Sequence, residues 1–197
     1  MLAFKGFTKD LTARLGHGEY QFEIGKTFVE ESSKTVRSGF HCCENPFECL
    51  AYYSLGGTDR FFIVEAAGSI DEDGQERIAC TEITLIKELS IKEFAGYGMM
   101  YIVKHPMRDK WQQRHTGILV TEEQAEGTTV DFIAIARGKN PRVKGVAGSV
   151  LGLIKELVKG NIESAKLFTV TQEQEGKWYT IDENRQLVEV SDETEGD

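Results

Sequence analysis

The residues most able to do chemistry stand together at positions 38–46, Ser-Gly-Phe-His-Cys-Cys-Glu-Asn-Pro. His41 offers a base, Cys42 and Cys43 offer thiols and Glu44 a carboxylate, all just ahead of Asn45 and Pro46. Asn45-Pro46 is a helix start, and a helix start presents free N–H groups and partial positive charge. Such a field lowers a thiol pKa or holds an anion. Three readings fit. In the first the segment is a structural turn, with Gly39 opening it, Phe40 filling the core and the cysteines acting as small buried fillers. In the second it is a ligand or catalytic loop built on His41. In the third His41, Cys43 and Cys49 bind zinc with Cys80 as a distant fourth ligand. That set lacks a paired Cys-x-x-Cys knuckle, so no metal is expected.

The ligand reading needs partners for His41. In an extended segment Phe40 and His41 face opposite sides, so Phe40 points to the core and His41 away from it. Lys5 on the first strand and Tyr53 on the following helix are the candidate partners. If Lys5, His41 and Tyr53 converge, the ligand is anionic or carries a phosphate, because a lysine supplies charge-assisted hydrogen bonds. The plainer alternative has His41 satisfying a backbone carbonyl and Tyr53 packing in the core. Elsewhere, His17 lies between Gly16 and Gly18 in an exposed loop, and His105 and His115 flank Trp111 in a polar connection read as surface. The sequence has no P-loop, Rossmann glycine fingerprint, nucleophile-elbow serine or His-Glu-x-x-His helix. No catalytic residue is assigned, and no cofactor is expected.

The elements that must position these residues follow from periodicity and punctuation. Residues 2–7 predict a short first strand turning at Gly6, and 19–24 a second with Tyr20, Phe22 and Ile24 on one face. Asn45, Pro46 and Glu48 predict a helix to about residue 54. Residues 60–70 form the strongest strand, apolar on both faces at Phe61, Phe62, Ile63 and Val64, with 77–86 returning antiparallel beside it. Ser90 and Glu93 make a capping box for a second helix over 91–104, although Gly96 and Gly98 weaken it. From residue 116 the texture turns to β-branched residues and regular glycines, which suits a small stack of β-rungs or a compact antiparallel sheet. Residues 165–171 and 177–181 predict strands, and 186–190 closes a C-terminal hairpin. The expected fold class is α+β: a mixed or antiparallel sheet with two principal helices, then a glycine-rich β region and the hairpin. The domain reading is 1–110, then a β-rich region 111–190 packed on it, then an acidic tail 191–197.

Composition narrows the function classes. The chain has 197 residues, 40% of them hydrophobic, and only three prolines, as expected of a folded protein. Net charge is −9, but residues 182–197 hold seven acids against Arg185 alone, so most of the acidity is a terminal tail. Without a basic cluster interleaved with aromatics, direct nucleic-acid binding is not expected. No apolar run reaches membrane-spanning length, and residues 1–14 lack the apolar core of a signal peptide. Residence in the cytoplasm of a host cell, with four reduced cysteines, is the corresponding expectation.

Several segments resemble an uncharacterised family of small bacteriophage and prophage proteins that often carry a central short-repeat array. The N-terminal match runs through Phe4-Lys5-Gly6-Phe7, residues 20–27 (YQFEIGKT), Ser38-Gly39-Phe40-His41, Cys43, Asn45-Pro46, Tyr52-Tyr53 and Arg60-Phe61. The C-terminal match comprises Gly138-Lys139-Asn140, Lys144-Gly145, Trp178-Tyr179-Thr180 and Val188-Glu189-Val190. Residues 116–137 stand where the repeats would lie. The resemblance implies a phage-type origin and carries no established activity. A looser likeness is to the ADP-ribosyltransferase fold, whose members place Arg or His on the first strand to hold NAD and a Glu on a late strand. This chain has Lys5 at the first place and no glutamate assignable to the second.

The leading expectation is therefore a non-enzymatic accessory protein that binds a host or phage protein, in host interaction or anti-defence. The alternatives are an ADP-ribosyltransferase-like or degenerate enzyme binding NAD or a nucleotide, and a virion-associated structural protein.

Overall fold

A computed structural model describes residues 1–13, 20–35, 37–72, 74, 77–107 and 113–191, with side chains left out for 113–115. His17, Trp111, the side chain of His115 and the tail from 192 onward lie outside the described residues. The chain divides into two units, Met1–Tyr97 and Gly98–Asp197.

The first unit contains β1 (Leu2–Phe7), β2 (Thr27–Val29), β3 (Phe40–Cys43), β4 (Arg60–Glu72) and β5 (Arg77–Glu88). Strand β1 lies between β3 and β4, while β5 pairs with β4 on one side and with β3 and β2 on the other. The ring β1–β4–β5–β3 thereby closes on itself as a small antiparallel barrel, which leaves none of these four an unpaired edge over its full length. Alternation along β1 puts Ala3, Lys5 and Phe7 on one face, and Ala3 and Phe7 join Phe22, Phe40, Cys42, Phe62, Val64 and Cys80 in the core. Aromatic edges knit this core: Phe7 meets Phe22 at 5.0 Å and Phe62 at 5.4 Å between ring centres. On the outside, Phe94 packs on Phe61 and Phe47.

The α+β expectation with two principal helices is not what forms. The protein is mostly β, with one helix of regular length among the described residues, α1 (Ile91–Lys104). Its start is the capping box, with Ser90 N and Oγ donating to Glu93 and the Glu93 amide donating to Ser90 Oγ. Despite Gly96 and Gly98 it is unbroken. The predicted helix after Asn45 is a six-residue 3₁₀ turn, Pro46–Ala51. Asn45 caps it, its side-chain oxygen accepting from the Phe47 amide at 3.1 Å. The start signal acts as read and Phe47 and Leu50 are buried, but Ala51 is exposed and the Gly56-Gly57 turn comes too soon for a longer helix. Residues 20–24 form no strand. They make only isolated bridges, Thr12 with Gln21 and Ile24 with Leu85, because the Phe22 amide donates to Leu11 O and the ring is drawn into the barrel.

The second unit holds β6 (Gln113–His115), β7 (Ile118–Gly127), β8 (Ile133–Gly145), β9 (Val150–Val158), β10 (Asn161–Thr169), β11 (Trp178–Ile181) and β12 (Leu187–Val190). Strands β7, β8 and β9 are parallel, with Ile118 opposite Ile133 and Ile133 opposite Val150. Successive parallel strands joined by short turns are stacked rungs, one of the two arrangements the glycine spacing suggested. The Gly138–Pro141 stretch lies inside β8: Glu123 accepts from the Lys139 and Asn140 amides at 2.8 and 2.9 Å and holds a corner there. Strands β11 and β12 pair as a hairpin. Among the described residues, no helix is long and apolar enough to cross a membrane.

Candidate functional site

The candidate site lies within the first unit. Strands β1 and β3 share a single registered pair, Phe4 with Cys43. Beyond it the Lys5 ammonium donates to the His41 carbonyl oxygen at 2.7 Å, so a side chain takes the place of the next ladder bond. Lys5 is only 8% exposed, on the core face of β1 and 5.4 Å from the centre of the Phe7 ring. Burial pulls its pKa down, and the surrounding thiols of Cys42, Cys49, Cys43 and Cys80 offset this only in part. All four cysteines are buried and unbridged.

Gly39 sets the entry to β3. Its φ is +81°, and a Cβ there would lie 2.8 Å from the Cys80 carbonyl oxygen, so only glycine fits. From this turn Phe40 enters the core and His41 points the other way, half-buried. Burial lowers the His41 pKa, and the charges of Lys5 and Arg77 lower it further. The thiols form two pairs. A bond to Cys80 and burial push the Cys42 thiol well up, and a bond to Cys43 and burial do the same to Cys49. Cys42 and Cys49, held protonated in this way, are poor nucleophiles and poor metal ligands, whereas the bond with Cys42 draws the Cys80 thiol down. Among the described residues, no group of three or more His, Cys, Asp or Glu is placed to hold a metal ion.

Lys5, His41 and Tyr53 all line one cavity of about 580 Å³. They do so from two faces of β1. Lys5 is on the side of Ala3 and Phe7, while the Tyr53 ring covers the backbone of Gly6 on the opposite side. Tyr53 is buried, as a packing residue would be, and its ring borders the cavity as well. Sequence reasoning missed several lining residues: Tyr20, Phe22, Glu30, Arg37 and Arg77. No local motif marks them, since they come from separate loops and from β5. The signal that could have found Tyr20 and Phe22 was their aromatic density near the glycine-led loop. His105, by contrast, is far in sequence and locally committed, its ring Nδ1 bonded to the Tyr101 carbonyl at 3.0 Å.

Among the described residues the charged lining is unbalanced: Lys5, Arg37 and Arg77 stand against one carboxylate, Glu30. A second carboxylate works from outside the lining. Asp71 accepts from the Thr35 amide at 2.7 Å, the Thr35 hydroxyl at 2.5 Å and Lys34 Nζ at 3.2 Å. Those bonds lower the Asp71 pKa to about 2 and tie down the loop that carries Arg37, Ser38 and Gly39.

A DUF7666 domain of unknown function covers residues 1–96. The matched stretch ends one residue short of the first unit's boundary at Tyr97, and the described residues that line the cavity all fall within it. No curated protein matches the chain.

Proposed function

We propose that the DUF7666 domain of this chain is a small-molecule receptor whose ligand joins an aromatic or apolar body to an anionic group. The observation that carries the reading is the cavity of about 580 Å³ with aromatic walls and an excess of cationic side chains. That volume lies within the range of about 300–1,000 Å³ usual for small-ligand sites, which pair apolar walls with a few convergent polar groups. Tyr20, Phe22 and Phe40 supply the walls. Arg37 and Arg77 supply guanidinium forks suited to carboxylate or phosphate. Nucleotides belong to this ligand class, as does part of NAD, in keeping with the looser likeness to ADP-ribosyltransferases.

A phage-type accessory protein acting on a host or phage protein places no demand on such a cavity. The reading therefore replaces the expected protein partner with a small anion as the group recognised. Titration calorimetry on the full chain with AMP, NAD, 4-(hydroxymethyl)benzoate and inorganic phosphate tests it. Saturable binding of one ligand per chain is expected, weakened about tenfold or more by Arg37→Glu or Arg77→Glu. The reading is overturned if none of the four binds, or if both charge reversals leave affinity unchanged.

A further inference from the structure

The cavity contains one group whose presence a purely structural barrel does not explain. Lys5 occupies a core position of β1 between Ala3 and Phe7, where an apolar side chain of similar length would pack without desolvating a charge. Its recorded contacts are a backbone carbonyl, the Phe7 ring and thiols, and among the described residues no carboxylate pairs with it. It is also the one lysine among the described residues that line the cavity.

We propose that Lys5 is an imine-forming amine, whose Nζ condenses with an aldehyde or ketone ligand that carries an anionic group and enters this cavity. The inference rests on the small-ligand reading above and names the reactive group of that ligand. A lysine becomes a nucleophile when its surroundings favour the neutral amine, and desolvation does this. Burial acts on Lys5 in that direction. Each unit by which the pKa falls raises the neutral fraction about tenfold at neutral pH, while exposed lysines stay protonated. The groups around the amine are His41 and the thiols of Cys42, Cys43, Cys49 and Cys80. None is a carboxylate that would pin the ammonium. His41, which burial favours in the neutral form, also lines the cavity and can accept a proton there.

The step balances without an oxidant or metal. The Lys5 nitrogen lone pair forms a C–N bond to the carbonyl carbon. The C=O π pair takes up a proton, and the nitrogen loses one, giving a carbinolamine. The hydroxyl then leaves as water as the nitrogen gives up its remaining proton, and a C=N bond forms. One water is released and no electron is transferred.

The test uses 4-formylbenzoate, an aromatic aldehyde with a carboxylate, on the full chain at neutral pH with sodium cyanoborohydride. Cyanoborohydride fixes an imine as a secondary amine and does not fix a thiol adduct, so the cysteines do not interfere. One adduct per chain on Lys5 is expected by peptide mapping, favoured at least about tenfold over any other lysine. Lys5→Met should remove that adduct, and 4-(hydroxymethyl)benzoate, which has no carbonyl, should bind the unmutated chain by calorimetry without forming one. Binding of that alcohol by the unmutated chain with no preferred label on Lys5 sinks the imine and leaves the receptor reading intact. Failure of both ligands sinks both. Uniform labelling of surface lysines also counts against the proposal.

Discussion

The ring of Tyr53 lies against the backbone of Gly6, so that a Cβ on that glycine would come within 2.6 Å of Cγ and 2.9 Å of Cε2. Real side chains do not tolerate that approach, and neither neighbour can retreat easily, since Tyr53 is buried and β1 is held by β4 along its whole length. Gly6→Ala should therefore destabilise the first unit by about 1–3 kcal/mol through overpacking. Tyr53→Ala alone should also destabilise, by about 3 kcal/mol or more, by leaving a cavity. The two losses should not add: denaturant unfolding of the double variant should fall short of the sum by more than about 0.5 kcal/mol. Simple additivity would mean the ring does not rest on Gly6.

Lys5→Met is expected to stabilise the first unit. Losing the bond to the His41 carbonyl costs about 1–3 kcal/mol, whereas releasing a buried ammonium from an apolar barrel recovers several kcal/mol. The sign follows from linkage as well. The folded pKa of Lys5 lies below the unfolded value of 10.5, so the unfolded chain binds the extra proton between those two values. The Lys5 contribution thus grows as pH rises toward 10.5 and is lost as pH falls through the folded pKa. At neutral pH a gain in melting temperature should accompany the loss of aldehyde labelling. A lower melting temperature for Lys5→Met would instead make the lysine a strut across the β1–β3 gap.

Mild acid should weaken the first unit through His41. Burial and the neighbouring Lys5 and Arg77 charges hold its folded pKa below the ordinary 6.5. The stabilising contribution is then complete above pH 6.5 and lost as pH falls through the folded value. Asp71 behaves in the same direction at much lower pH, since its contribution is complete above 3.8 and is lost only near pH 2. The order of events on acidification is therefore His41 first and the Thr35–Asp71 anchor last. Two-dimensional NMR titration should show the His41 ring titrating below 6.5 while the Thr35 amide keeps its bonded shift to below about pH 3. A Thr35 shift moving together with His41 would refute the ordering.

How far the sequence carried this picture depends on the range over which each signal acts. Local signals were legible: the Asn45 and Ser90 starts, the Phe61–Val64 strand and its return partner were read from neighbouring residues. Closure of β1, β3, β4 and β5 into a ring was not legible, because β1 leaves no local trace of pairing with both β3 and β4. The helix after Asn45 failed since a cap specifies a start and not a length. The same division holds at the site. Lys5, His41 and Tyr53 were named from the glycine-led loop and its flanks. Arg77 and Glu30 reach the cavity only through the strand register and the path of the loops, which a single sequence does not display.

The second unit offers a test independent of the cavity. Arg137, in β8, and Glu156, in β9, are buried together at 1% and 5% exposure, and Arg137 Nε donates to Glu156 Oε1 at 2.6 Å. Each partner is tied further. Arg137 Nη2 donates to the Pro106 carbonyl at 3.0 Å, and Glu156 Oε2 accepts from the Gly160 amide at 2.8 Å. The pair thus fixes the register of β8 on β9 and the turn before β10. Its removal is asymmetric in effect. Glu156→Ala strands a buried guanidinium and releases the turn, which should cost about 3–5 kcal/mol. Replacing both residues, as Arg137→Met with Glu156→Leu, removes the two buried charges together and should cost much less, since apolar substitutes for a buried pair are often neutral or better. Chemical denaturation followed at Trp178, a nearly buried residue of β11 in the same sheet, would read both variants. Equal losses for the single and double variants would show that the charges themselves, and not their mutual neutralisation, hold this unit together.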